Sequence, residues 1–198
     1  MKSFWEQRYS EEGYIYGTSP NQFFKQHIDR LSPGKLLLPA DGEGRNSVYA
    51  ATKGWLVDAF DFSENARKKA LQLAGDKKVH INYSVAGITS FDWPKAEYDL
   101  AGLFFVHLLP DIRVFLHKKI MEALKPGGIV LMEAFSKQQL PLSSGGPKNP
   151  EMLFSREMLE EDFSPFPPQL LREESVILKE GAHHEGEARV IRLRIEKI

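Results

Sequence analysis

The chain alternates short apolar runs with amphipathic stretches in a regular order, and that order predicts its elements. From Asn21 to Leu31, the residues Phe24, Ile28 and Leu31 recur at helical spacing, and Ser32-Pro33-Gly34 ends the helix. Lys35 to Pro39 is apolar after its lysine, as in a strand covered on both faces, and it runs into Ala40-Asp41-Gly42-Glu43-Gly44. Arg45 to Lys53 reads as a helix with Val48 and Ala51 on one side and Gly54 as terminator; Trp55 to Phe60 returns to strand. Ser63 caps a helix to about Ala74, with Glu64 near its positive end and Gly75 after it. Val79 to Val85 and Tyr98 to Val106 are the third and fourth strands. Ile112 to Leu124 is a helix closed by Lys125-Pro126-Gly127-Gly128, and Ile129 to Phe135 is the fifth strand. Strand and helix in alternation call for a parallel sheet with helices on both faces.

The pattern changes after Ser136. Ser143 to Pro150 is rich in turn formers, a loop able to cover a site. Phe154, five residues before Leu159, has the spacing of a hydrophobic staple around a Ser155 cap, so a short helix should reach about Phe163. Ser164-Pro165-Phe166-Pro167-Pro168 is a stiff connector. Two strands follow, Leu170 to Lys179 and Ala188 to Lys197, joined by a Gly181 to Gly186 loop. Ile191, Leu193 and Ile195 alternate with Arg192, Arg194 and Glu196, so one face of the last strand should be wetter.

With 198 residues, 42% of them hydrophobic, the chain can bury one sizeable core, and residues 1–198 read as a single domain with residues 1–34 as an arm and helix capping a site. A formal net charge of -1 argues against nucleic acid and anionic membranes and leaves a small molecule as the expected partner. The absence of cysteine removes disulfides, thiolate metal sites and a cysteine nucleophile, and no metal site is expected. No apolar run approaches the ~20 residues of a membrane helix and the start lacks a signal-peptide stretch, so cytoplasm is the expected location. Nothing in the pattern assigns an oligomeric state.

A strand, a glycine turn and a helix place free N–H groups and a positive helix end at the ligand-binding edge of an open sheet. Gly42 and Gly44 would let a ligand approach the backbone. Gly-x-Gly alone is weak; the added feature is Asp61, 19 residues after Gly42, where a carboxylate can accept both ribose hydroxyls of a nucleoside. Turn and acid suit a nicotinamide cofactor and S-adenosylmethionine alike. Ser47 in place of a third glycine, no room for a second substrate domain, and the terminal strand pair favour S-adenosylmethionine.

The runs Leu36 to Asn46, Ala59-Phe60-Asp61-Phe62-Ser63 and Leu124-Lys125-Pro126-Gly127-Gly128 resemble the class I S-adenosylmethionine-dependent methyltransferases. Gly42-Glu43-Gly44-Arg45-Asn46 and Glu180 to Gly186 are similar, more narrowly, to the tellurite-resistance and thiopurine-type branch. The resemblance spans about Trp5 to Lys197. It implies an α/β fold, a three-layer Rossmann-like sandwich with a seven-stranded, mostly parallel sheet whose last strand is antiparallel. It also implies methyl transfer to a small-molecule acceptor, with a thiol or metalloid oxyanion among the candidates. A nicotinamide-dependent oxidoreductase and a non-catalytic S-adenosylmethionine-binding protein are the alternatives.

Carried over by position, the cofactor residues are Tyr16, Gly17, Pro39, Ala40, Asp41, Gly42, Gly44, Asn46, Asp61, Phe62, Gly87, Ile88, Phe105 and Val106. The chain departs from the family in three places. The usual acid of the first strand is Leu38, the first glycine of the turn is Ala40, and the acid after the third strand falls at Gly87. Asp41 is the adjacent carboxylate able to replace the first. Methyl transfer from a sulfonium needs orientation more than acid catalysis, a contribution on the order of 7 to 11 kcal/mol. His107, at the end of the fourth strand, is the candidate base, and His183 and His184 are substrate-facing candidates. Arg67-Lys68-Lys69 reads as a solvated helix face.

Overall fold

In a computed structural model, residues 2–181 and 183–198 are described; Met1 and Ala182, which belong to runs noted above, lie outside them. The chain divides into two compact units. The first holds the described residues up to Phe91 with the short return at Glu180, Gly181 and His183, and the second holds Asp92–Lys179 and His184–Ile198.

The first unit opens with α1 (Lys2–Ser10) and α2 (Gln22–Ile28), followed by β1 (Lys35–Pro39), α3 (Arg45–Thr52), β2 (Leu56–Asp61), α4 (Glu64–Asp76) and β3 (Asn82–Val85). Its strands are parallel in the order β3-β2-β1, with Leu38 beside Ala59 and Asp61 beside Val85. Leu36, Leu37 and Leu38 are all buried, so both faces of β1 are covered, as its unbroken apolarity predicts. Ser63 caps α4 by accepting from the Ala66 N–H, and Asn21 caps α2 through the Phe24 N–H. Parallel pairing brings Pro39, Asp61 and Val85 to one sheet edge. Helix α1 was not expected. Among its described side chains Tyr9 alone is fully buried, and the helix is too polar to show a helical stripe.

The second unit contains β4 (Tyr98–Phe104), α5 (Pro110–Ala123), β5 (Leu124–Phe135), α6 (Arg156–Asp162), β6 (Leu170–Lys179) and β7 (Glu185–Glu196), with 3-10 turns at Lys137–Gln139 and Pro150–Met152. Strand order is β4-β5-β7-β6; β4 and β5 are parallel, and β7 runs antiparallel to both of its neighbours. The last strand is thus inserted between β5 and β6. Ile191, Leu193 and Ile195 are fully buried, as the alternation predicts. Lys125-Pro126-Gly127-Gly128, expected only as a helix stop, forms the irregular start of β5. Gly127 has φ +77°, and pairing with β4 jumps from Leu124 to Ile129. Ser155 caps α6 as expected. Among the described residues no helix is long and apolar enough to cross a membrane.

Candidate functional site

Between β1 and α3 the backbone turns through Ala40 at φ +51°, Gly42 at +60° and Gly44 at +85°. The left-handed region costs an alanine roughly 1–2 kcal/mol that glycine avoids, so Ala40 keeps a glycine conformation without a glycine. Asp61, 4% exposed, holds this turn. Its Oδ2 accepts from the Gly42 N–H at 3.3 Å and its Oδ1 from the Ser63 N–H at 3.0 Å. One carboxylate therefore ties the β1 turn to the cap of α4. Burial pushes its carboxyl up to about 6, against the pull of these N–H donors. Each oxygen retains acceptor capacity for a further hydroxyl.

The two glycines differ in what fills the space beside them. A Cβ on Gly44 would lie 2.6 Å from Cβ and 2.8 Å from Cα of Ala70, so its missing side chain lets α3 and α4 pack together. A Cβ on Gly42 would first meet the tip of Tyr9, whose hydroxyl oxygen lies 2.8 Å away, while the Tyr83 hydroxyl donates to the Gly42 carbonyl at 2.6 Å. Tyr9 stacks on Trp5 of α1 and stands over the turn; burial, and then Asp61 among nearby acids, raises its hydroxyl well above the usual tyrosine range. Tyr9 was not foreseen. The i, i+4 spacing of Trp5 and Tyr9 was the available signal.

The polar side chains of the turn hold the amino-terminal arm. Glu43 Oε2 accepts from the Ile15 and Tyr16 N–H groups at 2.8 and 3.4 Å, and Asn46 Oδ1 accepts from the Asn21 N–H at 2.9 Å. Arg45 reaches the Tyr16 carbonyl and pairs with Glu180 at 2.8 Å, and Glu180 also accepts from Asn21. Lys69, expected to be solvated, donates to Glu43 and to the carbonyls of Glu11 and Gly13; Arg67 donates to the Tyr83 carbonyl. Lys68 is exposed, as expected, whereas Lys69 fastens the returning arm and Arg67 ties α4 to β3, because remote acceptors lie where sequence shows only charge. His183 is exposed, with its ring 6.3 Å from that of Tyr16, whose hydroxyl accepts from Arg8. Gly17 has φ +68° and open space around its missing Cβ.

Leu38 is buried in β1 and carries no charge to the site. Beside it, Asp41 has an Oδ2 buried without a hydrogen-bond partner, and burial pushes its carboxyl up to about 7, opposed mainly by Ser47. Pro39 is buried, while Phe62 and Ile88 are half-buried. The Gly87 N–H is already donated to Ser90 Oγ at 3.0 Å.

In the second unit Phe105 adopts φ +56° just after β4, and Val106 is buried. His107 has both ring nitrogens engaged: Nδ1 with the Met152 carbonyl at 2.8 Å, and Nε2 with the Phe135 N–H at 3.3 Å. This fixes the tautomer and leaves neither nitrogen to take a proton from an acceptor. Burial lowers its pKa to about 4. His184 is buried edge-on against Phe105 and Phe135. Elsewhere in this unit, Asp162 accepts twice from Arg113, at 2.7 and 3.1 Å, and once from His117 at 2.8 Å. Among the described residues no cluster of histidine and acidic side chains has metal-binding geometry.

Residues 39–128 match a family model described as a methyltransferase domain. No curated protein matches the chain in sequence. Among solved structures, one described for the conversion of a disulfide bond into a thioacetal group during echinomycin biosynthesis is 15% identical, with a TM-score of 0.81 over 100% of this chain and 91% of its own. TehB from Haemophilus influenzae is 18% identical, with a TM-score of 0.74 over 100% of this chain and 67% of its own. A Burkholderia thailandensis N1-methyltransferase, solved with 1,6-didemethyltoxoflavin and S-adenosylhomocysteine, is 19% identical, with a TM-score of 0.62 over 88% of this chain and 74% of its own. These likenesses show the fold: a Rossmann-like sandwich with a seven-stranded, mostly parallel sheet and an antiparallel last strand. The segment matched by the methyltransferase-domain model holds the glycine turn, Asp61 and β4.

Proposed function

We propose that the chain is an S-adenosylmethionine-dependent methyltransferase acting on a small molecule that arrives already ionised, a thiolate or a metalloid oxyanion being the favoured class. When bound, S-adenosylmethionine supplies a methyl group on a positive sulfur; the acceptor's lone pair forms the new bond as the carbon–sulfur electrons return to sulfur. The observation that carries the cofactor reading is Asp61, buried at the end of β2 and bound to the Gly42 N–H, with acceptor capacity left on both oxygens. Asp61 would take the ribose hydroxyls, with Phe62 and Ile88 packing on adenine. Gly42 would offer its backbone once the Tyr9 tip swings aside, and Tyr16 and Gly17 of the arm would lie over the ligand. The orphaned Asp41 oxygen fits a ligand that brings a cation.

The acceptor reading follows from His107. Because its ring nitrogens are bound to backbone groups, it acts in positioning Phe135 and Met152, and the acceptor needs no proton removed by it. The residues around the turn contribute orientation and exclusion of water, which suffice for a nucleophile that carries its own charge. Calorimetry with S-adenosylmethionine and S-adenosylhomocysteine tests the cofactor. Binding is expected for the wild type and at least ~10-fold weaker binding for Asp61→Ala; no binding of either ligand at millimolar concentration sinks the proposal. Transfer of labelled methyl to thiols and tellurium or selenium oxyanions, but not to alcohols, is the expected acceptor profile. A flat fluorescence titration with reduced nicotinamide cofactor is expected alongside.

A further inference from the structure

Resting on that cofactor reading, we infer that Asp41, and no residue of β1, is the partner of the methionine ammonium of S-adenosylmethionine. In β1, Leu38 is apolar and 1% exposed, and Pro39 after it carries no charge. Three residues later the turn carries a carboxylate whose Oδ2 is buried and without a hydrogen-bond partner. A buried acceptor of this kind is costly unless something satisfies it, and a carboxylate is satisfied best by a cationic donor. The charges and dipoles around it do not fill that role. Ser47, in the first turn of α3, pulls the carboxyl down through hydrogen bonding from its side chain and backbone but brings no positive charge, Arg45 is committed to Glu180 and the Tyr16 carbonyl, and Asp61, Tyr9 and Tyr83 add negative charge or none. Asp61 already accepts one N–H on each oxygen, from Gly42 and Ser63, and its remaining capacity is assigned to the ribose hydroxyls. An ammonium on the ligand therefore meets a carboxylate oxygen that the protein leaves without a partner, on the same turn whose Gly42 faces the Tyr9 hydroxyl.

The assignment separates two ligands. S-Adenosylhomocysteine carries the ammonium; methylthioadenosine shares its adenine and ribose and lacks the amino acid. Asp41→Asn keeps a side chain that can cap α3 and removes the charge. Calorimetry should show its affinity for S-adenosylhomocysteine reduced ~10-fold or more, with methylthioadenosine within about twofold of wild type. An equal loss for both ligands would mean that Asp41 only shapes the turn, and no loss for either would remove it from the site; both results overturn the assignment. In the wild type, the ratio of the two affinities should fall as pH drops below about 7, where Asp41 takes up a proton, whereas protonation of Asp61 affects both ligands alike. A pH-independent ratio overturns the assignment even if the variant does not fold. Wild-type protein that binds neither ligand defeats the cofactor reading itself, whereas wild-type binding with an unchanged ratio in Asp41→Asn defeats only this step.

Discussion

The glycine turn of the first unit and the α5–α6 junction of the second both bury carboxylates, and they treat them in opposite ways. At the junction, Asp162 has three donors from Arg113 and His117. Burial pushes its carboxyl up, but those bonds prevail and hold it below the usual range. At the turn, Asp41 keeps an unpartnered oxygen and Asp61 is held only by backbone N–H groups, and burial leaves both raised, to about 7 and about 6. The turn also carries a left-handed alanine and a glycine covered by a side-chain tip. An unpartnered carboxylate oxygen and a left-handed alanine thus meet on the turn where a ligand is expected, whereas the buried carboxylate of the junction is satisfied by its own neighbours.

Breaking the junction should have the largest effect. Asp162→Ala strands the buried Arg113 guanidinium and should cost about 3–5 kcal/mol in urea unfolding, with cofactor affinity per folded molecule unchanged. Gly44→Ala forces a Cβ into Ala70 at φ +85° and should cost about 3 kcal/mol. Gly42→Ala should cost only about 1–2 kcal/mol, part of it recovered by Tyr9→Phe, and a larger loss than Gly44→Ala would contradict the distinction between the two glycines.

Titration sharpens the same contrast. Asp41 has a folded-state pKa raised above its unfolded value, so its favourable contribution is present below about pH 4 and is lost as pH rises through about 7. Asp41→Asn should therefore be neutral to stability near pH 4 and stabilise the ligand-free protein by on the order of 2 kcal/mol near pH 8. A pH-independent difference in urea midpoint would show that the charge is not the cause. The smallest effect is expected for Ala40→Gly, where relief of the left-handed conformation exceeds the added unfolded-state entropy by about 0.5 kcal/mol, read as a rise in Tm.

Much of this architecture was legible in the sequence. The apolar run ending at Pro39, the Ser63 cap and the alternation through Ile195 each depend on neighbours within a few residues, and each holds in the structure. Residues whose roles depend on remote partners were misread or missed. Lys69 looked solvated because its acceptors lie at Glu11, Gly13 and Glu43. His107 was expected directly after a strand reaching Val106, but β4 ends at Phe104, and the backbone groups that occupy the His107 nitrogens come from residues 135 and 152. Tyr9 escaped notice because one buried face in a short polar helix leaves little periodic signal.

The sequence by itself determined the order of elements, the turn before α3 and the acid at the end of β2, because periodicity, capping and glycine conformations are local properties of the chain. Only the tertiary structure decided which of those residues are spent on the fold. It filled the space beside Gly44 with Ala70, gave Glu43, Arg45 and Asn46 to the arm, fixed the His107 tautomer and left one oxygen of Asp41 without a partner. Those outcomes depend on distances between groups far apart in the chain and on how much water is excluded around them, neither of which a linear pattern encodes.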